Sequence, residues 1–138
     1  MAITNGIYSA LSGLNAATRR FDNSASNVAN VESVAVADRT APATDAEGRD
    51  LFQTRRSLDT TTDGGGVRST QQLADPVSVQ RFDPDAPDAN AEGLVNRPNV
   101  SLNREVVDQI SAQRQFEANL VTVRTADELL ESTLDILS

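Results

Sequence analysis

The chain has 138 residues, a length that suits one domain, and its 12 Arg, absent Lys and 20 Asp+Glu give a formal net charge of -8. With neither Cys nor His it has no disulfides, no thiolate metal sites, no Ser-His-Asp triad and no imidazole proton shuttle. The missing lysine removes Schiff-base chemistry and the phosphate-loop cation, and the acidic balance is a poor footprint for binding nucleic acid.

Apolar residues are unevenly spread. Leu, Ile, Val and Phe make up 8 of residues 1–34, 11 of residues 35–98 and 14 of residues 99–138. The middle, 11 of 64, falls below the ~20% at which a charged chain tends towards disorder. All five prolines lie between Pro42 and Pro98, and no glycine follows Gly93. Helix-compatible ends flank a breaker-rich middle. Residues 1–6 carry no basic n-region, so no secretory signal is expected, and no apolar run approaches the ~20 residues of a membrane span.

In the first segment Ile7, Leu14, Phe21 and Val28 recur every seven residues, with Ile3, Ala10, Leu11, Ala17 and Ala25 on the rows between. This is the pattern of a coiled-coil seam, although an ordinary amphipathic core helix has the same periodicity. Ala10, Ala16, Ala17, Ala25 and Ala29 favour helix and let a partner helix approach closely, whereas Gly13, Asn15, Asn23 and Asn27 work against a helix stable alone. The pattern wants a partner.

The middle offers short strands at 51–57 and 67–70 around a turn at Asp63-Gly64-Gly65-Gly66, and a third at 77–82 with Val77 and Val79 alternating after Pro76. Residues 35–50 have few apolar anchors and read as a loop or as disordered in isolation. Residues 83–99, with three prolines, read as an irregular surface arm.

In the last segment Phe116, Val123, Leu130 and Leu137 again fall at intervals of seven, with Leu102, Val106, Ile110, Leu120 and Leu134 on adjoining rows. Val107, Ala118, Val121 and Leu129 widen the stripe. From Leu102 onward there is no Gly or Pro, so about 37 residues predict one helix of ~55 Å. Such a helix needs other chains or a bundle to bury it.

Candidate chemistry is thin. Asp83, Asp85, Asp88, Asn90 and Glu92 invite a calcium loop, but a start at Asp88 puts Asn99 at position twelve, where a Glu belongs. A start at Asp83 puts Pro87 at a ligand position, so a solvated turn series is the better reading. Gly64-Gly65-Gly66 lacks the lysine and the strand-helix context of a phosphate cradle. Arg19-Arg20 and Arg55-Arg56 are isolated pairs in an acidic chain. No catalytic, cofactor-binding or metal residue is assigned.

Ser26-Asn27-Val28-Ala29-Asn30, preceded by Ser24-Ala25, resembles the signature near the N-terminus of bacterial flagellar rod and hook proteins. Asp88-Ala89-Asn90-Ala91-Glu92-Gly93-Leu94-Val95, Pro98-Asn99-Val100, the run from Val106 to Ala112, and Phe116-Glu117-Ala118-Asn119 narrow the resemblance to the proximal-rod family, as do Gly65-Gly66-Val67-Arg68 and Asp75-Pro76. The chain departs from the family pattern at Val31-Glu32-Ser33, at Leu94 and at Phe116, where an aromatic at 94 and a Tyr at 116 are common.

The resemblance implies a mainly α fold: long N- and C-terminal helices (1–34 and 99–138) paired as a coiled-coil-like inner layer around a small β-containing middle (35–98). It implies a structural, non-enzymatic subunit of the basal-body rod, a drive shaft crossing the periplasm, exported through the flagellar type III apparatus without a cleaved signal. Implied partners are other copies of the chain, other proximal- and distal-rod proteins, the rod-to-membrane-ring adaptor and the export apparatus, with no cofactor, nucleic acid or small-molecule substrate. The expected assembly seam is Ile7, Leu14, Phe21, Val28, Phe116, Leu120, Val123, Leu130, Leu134 and Leu137. A helical adaptor or chaperone-like module binding one partner is the alternative, and a carboxylate-only hydrolase a more distant one. Within the signature, Asn30 is expected to close the first helix in left-handed geometry. Asn27, one position before Val28, is expected to reach a neighbouring chain.

Overall fold

A computed structural model describes residues 2–137. Helices α1 (Ala2–Ala29) and α2 (Leu102–Leu137) bracket strands β1 (Arg55–Thr61), β2 (Val67–Leu73), β3 (Ser78–Phe82) and β4 (Leu94–Pro98). The fold is mainly α, with two small antiparallel sheets, β1–β2 and β3–β4, between the helices in sequence. At 36 residues and 1.5 Å per residue, α2 is about 54 Å long.

The helices run antiparallel against each other. Going up α1, Gly13 faces Asn119, Arg20 donates to Gln115 Oε1 at 3.0 Å and Ser24 donates to the Glu105 carbonyl at 3.0 Å. α1 stops where the Asn30 side-chain amide donates to the Ser26 carbonyl at 2.9 Å, beside the backbone bond from Asn30 N to the same oxygen. Among the described residues only glycines have positive φ, so Asn30 does not cap the helix through left-handed backbone as expected. Its side chain does the work instead. Asn30→Gly removes that bond and is expected to cost about 0.5–1.5 kcal/mol, read as a lower urea midpoint. An unchanged midpoint would mean the cap contributes nothing.

The Gly-rich turn joins β1 to β2 as expected, with Gly65 N donating to Thr62 O and Thr62 N to Gly66 O. Gly65 and Gly66 have φ of 82° and 91°. A Cβ on Gly66 would collide with Ser12 Oγ and approach Ser9 Cα to 3.3 Å, so the turn lies directly against α1. Gly66→Ala is expected to cost about 1–3 kcal/mol through strain at positive φ, seen as a lower melting temperature with the hairpin amides losing hydrogen-exchange protection first.

The strand boundaries differ from the sequence expectation for a definable reason. Residues 51–54 do not pair with β2. Phe52 N donates to Val34 O and Val36 N to Phe52 O, so this stretch pairs with the segment leaving α1, and β1 begins only at Arg55. β2 continues to Leu73, because paired backbone carries Gln71 and Gln72 despite their polarity. β3 begins at Ser78; Val77 is buried ahead of it while Val79 is exposed, so the two do not alternate on one face.

Residues 83–99 are not an irregular arm, because β4 pairs with β3 from Ser78↔Pro98 to Phe82↔Leu94. Asn90 folds the connection back, its Oδ1 accepting from the amides of Glu92 (3.0 Å) and Leu94 (2.8 Å). Nor is the segment after α1 without anchors: Ala35 and Val36 are buried with Ala74, Val77 and Val95. Backbone bonds from Ala35 N to Asn96 O and from Ala74 N to Thr54 O stitch this small core together at the base of the helix pair.

Candidate functional site

The intrachain helix contact is made of small and polar side chains at heptad spacing. α1 contributes Ala10, Ala17 and Ser24, all buried, and α2 contributes Glu105, Ala112 and Ala126, also buried, with Asn119 half-buried on the same row. Gly13 stands so close to α2 that a Cβ there would come within 2.6–2.7 Å of the Asn119 side-chain atoms. Side chains this small allow interaxial distances near the lower end of the ~8–10 Å range.

The large apolar heptads lie beside this contact. Ile7, Leu14, Val28 and Val123 are half-buried; Phe21 (45% exposed), Phe116, Leu120, Leu130 (42%) and Leu134 (69%) are exposed. The Leu137 side chain lies outside the described ones. Tyr8, Leu11, Val106, Val107, Ile110, Val121, Leu129 and Ile136 add to the exposed apolar surface of the helix pair. The periodicity of seven therefore serves two rows, a small one that closes the subunit and a large one left partly open to solvent.

The polar face of α1 holds the β1–β2 hairpin. Ser12 Oγ accepts from Val67 N at 3.0 Å, Arg20 pairs with Asp59, and Asn23 donates to Ser57 Oγ at 2.6 Å while accepting from Gln71 Nε2 at 2.7 Å. Asn27, 2% exposed, is the centre of the signature. Its amide donates to Arg55 O at 2.9 Å and to Glu105 Oε1 at 3.2 Å, and its oxygen accepts from Arg55 N at 3.3 Å. The side chain expected to reach a neighbouring chain is instead spent within the subunit, tying α1, β1 and the first turn of α2. Glu105, 3% exposed, escaped the sequence reading because it precedes the apolar pair Val106-Val107, and its row is not apolar. The available signal was its spacing of seven to Ala112 and fourteen to Asn119.

Two other signature residues, Ser26 and Asn30, border with Asp22 an open cleft of about 780 Å³ between the end of α1 and residues 43–53, which bring Asp45 and Arg49 to it. Asp45 shapes a turn there: its carboxylate accepts from the backbone N of Arg49 (2.7 Å) and of Glu47 (3.0 Å) and pairs with the Arg49 guanidinium. The Arg49 backbone amide, ahead of its side chain, holds the Asp45 carboxyl below its ordinary value of 3.8. A depressed carboxylate stabilises the fold above the ordinary value, and the contribution is lost as pH falls through the lowered one. Acidification through and below pH ~4 is thus expected to loosen residues 45–49, checked by the pH titration of the Gly48 amide shift. Asp45→Asn should flatten that titration.

In the acidic stretch at 83–92, Asp88 pairs with Arg97 at 3.3 Å, both side chains largely buried, and Asn90 Oδ1 is taken by backbone amides. Among the described residues no helix is long and apolar enough to cross a membrane, and no group of three or more acidic side chains is placed to hold a metal ion.

Comparison with known proteins converges on one family. Residues 91–136, β4 and nearly all of α2, match the family model described as the C-terminal region of the flagellar basal-body rod FlgEFG proteins. The flagellar basal-body rod protein FlgC of Yersinia enterocolitica is 35% identical over 99% of this chain and 98% of its own length. That of Salmonella typhimurium is 31% identical over the same shares. That of Bacillus subtilis is 38% identical over 53% of this chain and 49% of its own. Because the first two similarities run from α1 through both hairpins to α2, and do not rest on one shared helix, this chain belongs to the flagellar basal-body rod protein FlgC family.

Proposed function

We propose that the chain is a structural subunit of the proximal rod, stacking helically with copies of itself and with other rod proteins into a torque-transmitting shaft whose wall encloses the export channel. The observation that carries this is the division of labour between the two heptad rows. Ala10, Ala17, Ala112 and Ala126 close the subunit, while Phe21, Phe116, Leu120, Leu130 and Leu134 remain exposed on its helices. An apolar surface of that extent marks an interaction site. Burying it between neighbours supplies many weak contacts whose sum resists torque.

On this reading the subunit is exported without a cleaved signal and lies where the rod crosses the periplasm. Distal-rod proteins, the rod-to-ring adaptor and the export apparatus are its further partners. Deleting the gene and isolating basal bodies tests the proposal: rods should stop before the distal segment and recover on complementation. Full-length rods in the deletion strain would refute it. A discrete complex with one partner, without polymerisation on a template, would favour the adaptor.

A further inference from the structure

Among the described residues, half of the arginines lack an acidic partner. Arg20, Arg39, Arg49, Arg81, Arg97 and Arg114 form ion pairs there, whereas Arg19, Arg55, Arg56, Arg68, Arg104 and Arg124 form none, in a chain with 20 acidic residues. Three of the six, Arg55, Arg56 and Arg104, line one cleft of about 270 Å³ between β1 and the first turns of α2. Arg20, Glu105 and Asp108 also line it, and Arg20 is paired with Asp59. Against the carboxylates of Glu105 and Asp108, the three arginines still leave a local surplus of positive charge.

The opposite charge is concentrated at the far end of the same helix. Glu131 lies four residues after Asp127 and three after Glu128, on one face of α2, with Asp135 four residues further on and Arg124 before them. Among the described residues none of Asp127, Glu128 and Glu131 makes an ion pair, and beyond Ala126 every described side chain of α2 is exposed. Glu131 lies 27 residues past Arg104, about 40 Å along a straight helix. One molecule cannot bring the two together.

We propose that the arginine cleft receives the acidic end of α2 from a second copy of this chain. The contact joins two different patches, so it is heterologous and propagates into rings or helical filaments, in contrast to a two-fold dimer. It deepens the assembly reading above and rests on it: the apolar rows supply the adhesion, and the charges set polarity and register.

The test is a charge swap in a strain lacking the chromosomal gene. One variant carries Arg56→Glu and Arg104→Glu, the other Glu128→Arg and Glu131→Arg. Each alone sets like charges against each other and is expected to lower basal-body yield about tenfold or more. Expressed together they restore both contacts, acidic cleft to basic end and basic cleft to acidic end, and motility returns. Full motility of either variant alone, or no recovery on co-expression of variants whose circular dichroism matches the parent, overturns the proposal.

A second measurement is independent of the swap. The chain has no cysteine, so Arg104→Cys with Glu131→Cys in one chain should give disulfide-linked multimers of this chain in isolated basal bodies. Monomer alone, or cross-links only to another rod protein, overturns the second copy as occupant. Intact rods in the deletion strain would instead sink the assembly reading itself, so the two failures are distinguishable.

Discussion

Asn27→Ala is expected to destabilise the isolated chain by about 2–4 kcal/mol, because buried groups left without partners cost ~1–3 kcal/mol each. The substitution strips the Arg55 amide and carbonyl of their side-chain partner and removes the amide donor from Glu105 Oε1. Alanine raises intrinsic helix propensity by roughly 0.5–0.7 kcal/mol, a smaller term of opposite sign. A peptide spanning α1 should therefore become more helical while the whole chain becomes less stable. Against a typical total of ~5–15 kcal/mol the loss is large. A urea midpoint for the full chain, beside circular dichroism of the peptide, separates the two terms. An unchanged midpoint would show that the clip is not stabilising. Glu105→Gln, which keeps an acceptor oxygen for Asn27, should cost much less than Asn27→Ala. Any assembly defect of Asn27→Ala would then follow from a weakened subunit, not from a lost bond between subunits.

The two helices were legible because periodicity and the absence of breakers act locally. Residues 102–137 contain no Gly or Pro, and α2 spans them all. Which heptad row closes the subunit was only half legible. The alanines of α1 signalled close approach, but Glu105 and Asn119 disguised the matching row of α2. Large side chains draw attention to periodicity, yet small ones decide which faces of two helices can come closest.

The middle was legible where turn chemistry dictates structure, as at Gly64-Gly65-Gly66, and illegible where pairing is non-local. Residues 51–54 look like the beginning of β1, but Phe52 takes its backbone partners from Val34 and Val36, upstream, and Leu51 donates to Ala43 O. β4 was hidden by Pro84, Pro87 and Pro98, whose effect stays local once Asn90 reverses the chain and Val95 enters the small core. Asn27 is the instructive miss within the site. Its position beside Val28 suggested an outward contact, but on a 3.6-residue helix the adjacent residue points about 100° away. That rotation turns it towards β1 and Glu105.

Leu130→Asp is expected to act at the opposite level, leaving the subunit folded and abolishing its assembly. In the single chain Leu130 is 42% exposed, so the aspartate remains in contact with water. The free-chain cost should be roughly 1 kcal/mol, from lower helix propensity and an unfavourable charge near the helix C-terminus. Between packed neighbours the same carboxylate would be taken out of water, costing several kcal/mol unless protonated or paired. The difference predicts a soluble chain with a near-parental urea midpoint that supports neither rods nor swimming. Leu130→Asn should also fail, since loss of apolar contact contributes independently of the charge, and Leu130→Met should retain function because it conserves volume and polarity. Basal-body yield and motility for the three variants, each beside the purified chain's midpoint, provide the measurement. Normal swimming with Leu130→Asp would remove Leu130 from the seam. A collapsed midpoint would place it in the subunit's own core, where the helix pair now leaves it open to solvent.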